Sequence, residues 1–213
     1  MNTEKYKELL EELKGNVTLV AVSKNKPVED IQALYDLGHR DFGENYVQEL
    51  VDKKAILPKD IRWHFIGHLQ SNKVKYIAPF IHLIHGTDSM NLLKEINKEA
   101  AKNNKMIGLL LQIHIAKEET KFGLDAEELK QVMTNVEQFK SVQLKGLMGM
   151  ASFSDDLNLV RDEFRALHFL YKQHPQFSIL SMGMSGDFKI AVEEGSNMVR
   201  IGSLLFGERD YKS

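Results

Sequence analysis

The sequence predicts one α/β domain folded as a single (β/α)8 barrel of the TIM type, with an extra helix at its N-terminus. Three observations predict it. Short apolar runs alternate along the chain with segments of helical periodicity, the pattern of a parallel sheet joined by crossover helices. The 213 residues sit near the lower limit for such a barrel and suffice to bury a core without staples. No Gly-x-Gly-x-x-Gly follows the first strand, so the open dinucleotide-binding sheet loses its main signature.

The elements follow in order. Tyr6, Leu9, Leu10 and Leu13 share one helical face, and Gly15 ends that helix. Residues 17–22, rich in β-branched side chains, form the first strand. Pro27 then opens a helix that runs to about residue 37. Strands are expected at 41–43, 62–66, 81–84, 106–115, 144–148, 177–181 and 198–201. Helices are expected at 45–54, 71–77, 89–103, 125–135, 156–172 and 187–194, and after the last strand only a short tail. No repeat, linker or low-complexity stretch divides residues 1–213, which are read as a single domain.

Composition narrows the function. With 43% hydrophobic and 27% charged residues and a net charge of −2, the chain lacks the basic balance of a nucleic-acid binder. It has no cysteine, which removes disulfides, thiolate metal sites and cysteine nucleophiles. The N-terminal segment is charged and amphipathic rather than an apolar signal, and the apolar run 106–115 is too short to span a bilayer. A cytoplasmic protein that touches neither membrane nor nucleic acid is expected.

In a barrel, chemistry sits at the carboxyl ends of the strands. There the sequence places Lys24, Glu44, Asn45, His68, His85, Lys121, Met150, the run 181–185 and the run 200–203. A lysine leaving an apolar strand into a barrel mouth is partly desolvated, which favours its neutral, nucleophilic amine. The bland alternative is a solvated turn lysine, for which Lys26 serves as the example. Ser-Met-Gly-Met-Ser-Gly at 181–186 joins the seventh strand to a helix. Arg-Ile-Gly-Ser at 200–203 follows as the eighth strand ends. Loops after strands seven and eight commonly seat a phosphate on free amides; the alternative is an ordinary N-capped helix start. Arg200 could serve a ring nitrogen or clamp an anion, or pair with a rim carboxylate. Glu44 reads as a rim ion-pair partner as readily as a base.

The histidines invite a metal reading. Residues 64 and 68 of one strand would lie roughly 13 Å apart, too far to share an ion. His82 and His85 would face opposite sides of theirs, and no His-Glu-x-x-His occurs. No metal is expected.

These residues carry a resemblance. Ala-Val-Ser-Lys at 21–24, Phe-Gly-Glu-Asn-Tyr at 42–46 and Trp-His-Phe-Ile-Gly-His-Leu-Gln-Ser-Asn-Lys at 63–73 resemble the pyridoxal phosphate homeostasis proteins, also called proline synthetase co-transcribed homologues. So do Thr-Lys-Phe-Gly at 120–123, Gly-Leu-Met-Gly-Met at 146–150 and the runs 181–187 and 200–203. They span nearly the whole chain in order. One departure is a compact segment after Met150, where the family often carries a short insertion.

The resemblance implies a fold-type III barrel like the N-terminal domain of alanine racemase, with pyridoxal 5′-phosphate as cofactor. Lys24 would carry it as a Schiff base, and Asn45 would lie near its ring. Arg200 would face the pyridine nitrogen, and Ser181, Ser185, Gly202 and Ser203 would hold the phosphate. Met184 and His68 would line the pocket. It also implies a role in vitamin B6 homeostasis without established turnover, with pyridoxal-phosphate-dependent enzymes as possible clients; a monomer is expected in the absence of an obligate partner domain. The second, β-rich domain of the racemases has no counterpart here, and a charged arginine gives the ring nitrogen no proton, leaving a poorer electron sink. The alternative is a small racemase drawing on His68, His85 or Tyr46 for acid-base work.

Overall fold

The computed structural model describes residues 1–116 and 122–207. Eight parallel strands close into a barrel in sequence order. They are β1 (Thr18–Val22), β2 (Asp41–Glu44), β3 (Arg62–Phe65), β4 (Leu83–Thr87), β5 (Ile107–Gln112), β6 (Val142–Met148), β7 (Ile179–Met184) and β8 (Met198–Ile201). The seam pairs β1 with β8, Val20 opposite Arg200. Helices are α1 (Thr3–Glu12), α2 (Val28–Asp36), α3 (Val47–Ile56), α4 (Val74–Ile77), α5 (Met90–Lys102), α6 (Ala126–Thr134), α7 (Leu157–Lys172), α8 (Phe188–Glu193) and α9 (Ser203–Phe206).

Side-chain parity sorts the core into two layers. Leu19, Ala21, Leu109, Leu111, Val199 and Ile201 pack outward against the helices. Their neighbours Val20, Leu110 and Met198 turn the other way and meet Leu83 and Met148 in a separate cluster that plugs the barrel. Residues two further along these strands therefore point into the barrel above the plug, and this is how Val22, His85 and Arg200 come to face one another's space.

Helix ends are specified locally. Asn2, Ser89 and Asp156 accept backbone N–H groups at the starts of α1, α5 and α7. Asp125 and Glu128 form a reciprocal capping box on α6. The backbone N–H of Asn2 donates to the Leu205 carbonyl at 2.8 Å, which fixes the extra N-terminal helix to α9.

Four expectations need correction. Strand β4 lies later than 81–84: Ile81 N–H still donates to Ile77 O, while Thr87 remains paired with β5. The polar run His85-Gly-Thr reads as a loop in sequence but lies in the barrel wall. Strand β7 extends past residue 181 to Met184, so half of the serine-glycine run is strand. Strand β5 stops at Gln112 rather than 115. Residues after β8 form the single-turn helix α9 instead of a tail.

Candidate functional site

Lys24 stands two residues beyond β1, half-buried in a turn that α3 clamps from below. Lys53 Nζ donates to the Ser23 carbonyl at 2.7 Å, to Glu44 Oε1 at 2.8 Å and to Glu49 Oε1 at 2.7 Å. Ser23 Oγ donates to Glu44 Oε1 at 2.6 Å, and the Asn25 N–H donates to Glu49 Oε1 at 2.6 Å. The backbone on both sides of Lys24 is thus held by one buried ion cluster, which also keeps Asn25 at a positive φ of 57°. Glu44 is fully buried. Burial raises its carboxyl pKa, against the opposing pull of Lys53. It is therefore a clamp member, not a rim base. Lys26 also departs from the solvated example: its Nζ donates to Phe206 O at 2.9 Å and Gly207 O at 3.3 Å, capping the end of α9.

Opposite Lys24, Arg200 leaves β8 with its side chain 4% exposed. Nη1 donates to Ser181 Oγ at 2.7 Å and Ser181 O at 2.9 Å, and Nη2 donates to Gly149 O at 3.1 Å. Desolvation lowers its pKa to about 10, which leaves the guanidinium charged at neutral pH. Above it the two serine-glycine turns meet: Gly202 N–H donates to Ser185 Oγ at 3.3 Å. Asp187 Oδ1 accepts the Met184 N–H at 2.6 Å and tightens the first turn. Gly183 makes the approach of that turn possible. Its φ is +98°, and a Cβ there would stand 2.7 Å from Ala191 Cβ. Helices α8 and α9 are only six and four residues long, so what these turns offer an anion is amides and hydroxyls rather than a helix dipole.

These walls enclose a cavity of about 470 Å³. Lys24, Asn45, Met184, Ser185, Arg200, Gly202 and Ser203 all line it, so seven of the nine residues singled out in the sequence converge. Met150 and the fully exposed Phe153 form its apolar lip. The volume is in the usual range for a small-molecule site. Asn45 Oδ1 is buried without a hydrogen-bond partner, an acceptor left for a ligand. Gly67 presses that residue into place, since a Cβ on it would stand 2.5 Å from Asn45 O. One amine, one guanidinium and two hydroxyl-bearing turns are the donor set that a phosphorylated heteroaromatic aldehyde needs.

Two of the nine lie elsewhere. Ser181 is wholly buried beneath Arg200. His68 is exposed, with Nδ1 3.0 Å from Asp88 Oδ2 and its ring stacked 4.1 Å from Phe122. It lines a neighbouring depression of about 410 Å³ with Tyr46. His85 is not at a strand end but fully buried in β4 between His64 and Ser181. Lys121 lies outside the described residues. Sequence reasoning missed Lys53 and Glu49, whose i, i+4 spacing on a helix reads as an ordinary solvated pair. It also missed the His64–His85 contact, which forms between adjacent strands. Among the described residues no group of three or more His, Cys, Asp or Glu side chains could hold a metal, and no helix is long and apolar enough to cross a membrane.

Comparison with known proteins agrees with the geometry. The sequence profile described as alanine racemase, N-terminal domain, matches residues 2–210. A pyridoxal phosphate homeostasis protein of Aquifex aeolicus is 42% identical over 199 residues, covering 91% of this chain and 87% of the relative. One from Synechocystis is 38% identical over 211 residues, covering 96% and 97%. The structure of PipY from Synechococcus elongatus, solved with PLP bound, superposes with a TM-score of 0.88 at 35% identity, covering 96% of this chain and 99% of that one. The barrel, the convergent cavity and these relatives together place the chain in the alanine racemase N-terminal domain family and, within it, among the pyridoxal phosphate homeostasis proteins.

Proposed function

We propose that this protein binds pyridoxal 5′-phosphate covalently through Lys24 and serves intracellular vitamin B6 homeostasis by holding the cofactor without turning over a substrate. The observation that carries this reading is the meeting of Lys24, Arg200 and the Ser185 and Gly202–Ser203 turns on one cavity. The cofactor, when bound, supplies an aldehyde that condenses with an amine and a ring able to take up electrons. Lys24 offers the amine, and the clamp from α3 holds its backbone. Arg200 presents positive charge at the cavity floor. Ser185, Gly202 and Ser203 suit the phosphate, and Asn45 and Met184 flank the ring. Ser181 acts on this site through Arg200. His68 belongs to the outer depression.

Holding fits better than racemisation. Removing and returning a proton on opposite faces of a substrate needs two acid-base groups. Among the described lining residues the ionisable ones are Lys24, Lys26 and Arg200, with no carboxylate or imidazole among them, and Lys26 is bonded to backbone carbonyls. His68, His85 and Tyr46, the other acid-base candidates, do not line the cavity. The chain is read as one cytoplasmic, monomeric domain over residues 1–213, releasing cofactor to dependent enzymes.

The test combines binding and turnover. Purified protein titrated with pyridoxal 5′-phosphate is expected to gain a visible absorption band at one equivalent, and to pass cofactor to an apo-enzyme. A panel of amino acids is expected to racemise no faster than with free cofactor. Steady turnover above that rate would move the assignment to an enzyme.

A further inference from the structure

Arg200 does not rest on an apolar floor. It ends a file of buried side chains that crosses the barrel from one rim to the other. Arg62 Nε donates to Asp41 Oδ1 at 2.7 Å at the far rim. Asp41 Oδ1 lies 3.0 Å from His64 Nε2, and His64 Nδ1 lies 3.0 Å from His85 Nε2. His85 Nδ1 lies 3.2 Å from Ser181 Oγ, which accepts from Arg200 Nη1. Asp41, His64, His85, Ser181 and Arg200 are all at most 9% exposed.

The two ends of this file determine its direction. A guanidinium only donates and a carboxylate only accepts. Ser181 Oγ accepts from Arg200, so its own proton goes to His85 Nδ1. His85 then carries its proton on Nε2 and gives it to His64 Nδ1. His64 in turn carries its proton on Nε2 and gives it to Asp41. Every donor finds one acceptor. Reversing the file needs an extra proton on the histidine pair and leaves the Ser181 hydroxyl proton with no acceptor in the file.

We propose that His64 and His85 are both neutral Nε2–H tautomers, and that with Asp41 and Ser181 they form a hydrogen-bond chain of fixed polarity in which His85 positions Arg200 for its ligand. The charge state agrees with this. Asp41, Arg62, Lys145 and His82 face His64, and His64, His82 and Arg200 face His85; burial keeps both rings neutral, His85 most strongly. Arg62 and His64 hold the Asp41 carboxyl well below the usual carboxylate range despite its burial. His85 and His64 touch no part of the cavity and are positioning residues. Their effect on the cofactor rests on the function proposed above, whereas the tautomers do not.

The test uses protein labelled with ¹⁵N at histidine, read at neutral pH by long-range ¹⁵N–¹H correlation, which distinguishes Nδ1–H, Nε2–H and doubly protonated rings. The expected result is the Nε2–H pattern for His64 and His85, each assigned by its loss in a His64→Gln or His85→Asn variant. An Nδ1–H or doubly protonated ring at either position overturns the chain. Pyridoxal 5′-phosphate binding then tests the positioning role. His85→Leu, which removes the acceptor for Ser181, is expected to weaken retention by up to about tenfold, the upper range for one neutral hydrogen bond, and to shift the visible band of bound cofactor. His85→Asn, which can offer an oxygen near the Nδ1 position, is expected to restore most of both. Equal behaviour of the Leu and Asn variants would mean a purely space-filling role and would overturn the positioning claim. Failure of the unmutated protein to take up cofactor would instead refute the function proposed above and leave the tautomer result standing.

Discussion

At the scale of single residues, the proposed reading assigns bond formation to Lys24 and charge to Arg200, which line the same cavity. Replacing Lys24 with Ala is expected to abolish covalent attachment while leaving weaker, phosphate-anchored retention, because Ser185, Gly202 and Ser203 are untouched. Equilibrium dialysis against labelled cofactor, before and after borohydride treatment, separates the two. These residues were legible in the sequence because each sits in a short local motif: a lysine just past an apolar strand, and serine-glycine runs after the seventh and eighth strands. Ser181 was assigned to the phosphate from the same run. The pleat of β7 turns it beneath Arg200 instead, since the strand continues to Met184.

At the scale of elements, α3 matters more than its ordinary composition suggests. Lys53 reaches Ser23 O, Glu44 and Glu49, so it joins the helix to the turn that carries Lys24. Lys53→Met leaves the buried Glu44 carboxylate uncompensated. It is expected to cost about 3–5 kcal/mol in urea unfolding and to loosen cofactor attachment. The double change Glu44→Leu with Lys53→Met is expected to cost less than the single one, because the fully buried Glu44 charge goes with its partner and only the partly exposed Glu49 loses its cation. Nothing in the sequence distinguishes Lys53 from the exposed lysines around it, since its buried partners lie 9 and 30 residues away and its pairing with Glu49 reads as an ordinary helix-surface pair. The same limit hid the second half of β4. His85, Gly86 and Thr87 are poor strand formers taken alone, and only pairing with β5 holds them in the wall. The alternation of strands and helices, by contrast, was fully readable, because each crossover unit repeats the same switch of apolar period.

For the whole molecule, the buried histidines tie stability to pH. His39, His64 and His85 are buried, and burial lowers each below the ordinary value of 6.5. The unfolded chain therefore binds protons near pH 6.5 that the folded chain refuses. Their stabilising contribution is complete above that pH and drains away as pH falls toward the folded values. Stability is expected to drop by up to about 1.4 kcal/mol per pH unit for each histidine below pH 6.5. Chemical denaturation at several pH values, with the single Trp63 as reporter, checks both slope and sign. The barrel plug makes a second demand on the whole fold. Leu110→Ala is expected to cost roughly 2–5 kcal/mol, since neighbours on facing strands cannot collapse into the gap.

The measurement that bears most directly on the account is reduction of the cofactor-loaded protein with borohydride, followed by peptide mass mapping. One pyridoxyl phosphate per chain, on the peptide carrying Lys24 and at that residue, is the result expected. A loaded protein whose adduct maps to Lys26, Lys53 or scattered surface lysines, or that carries none, would contradict it.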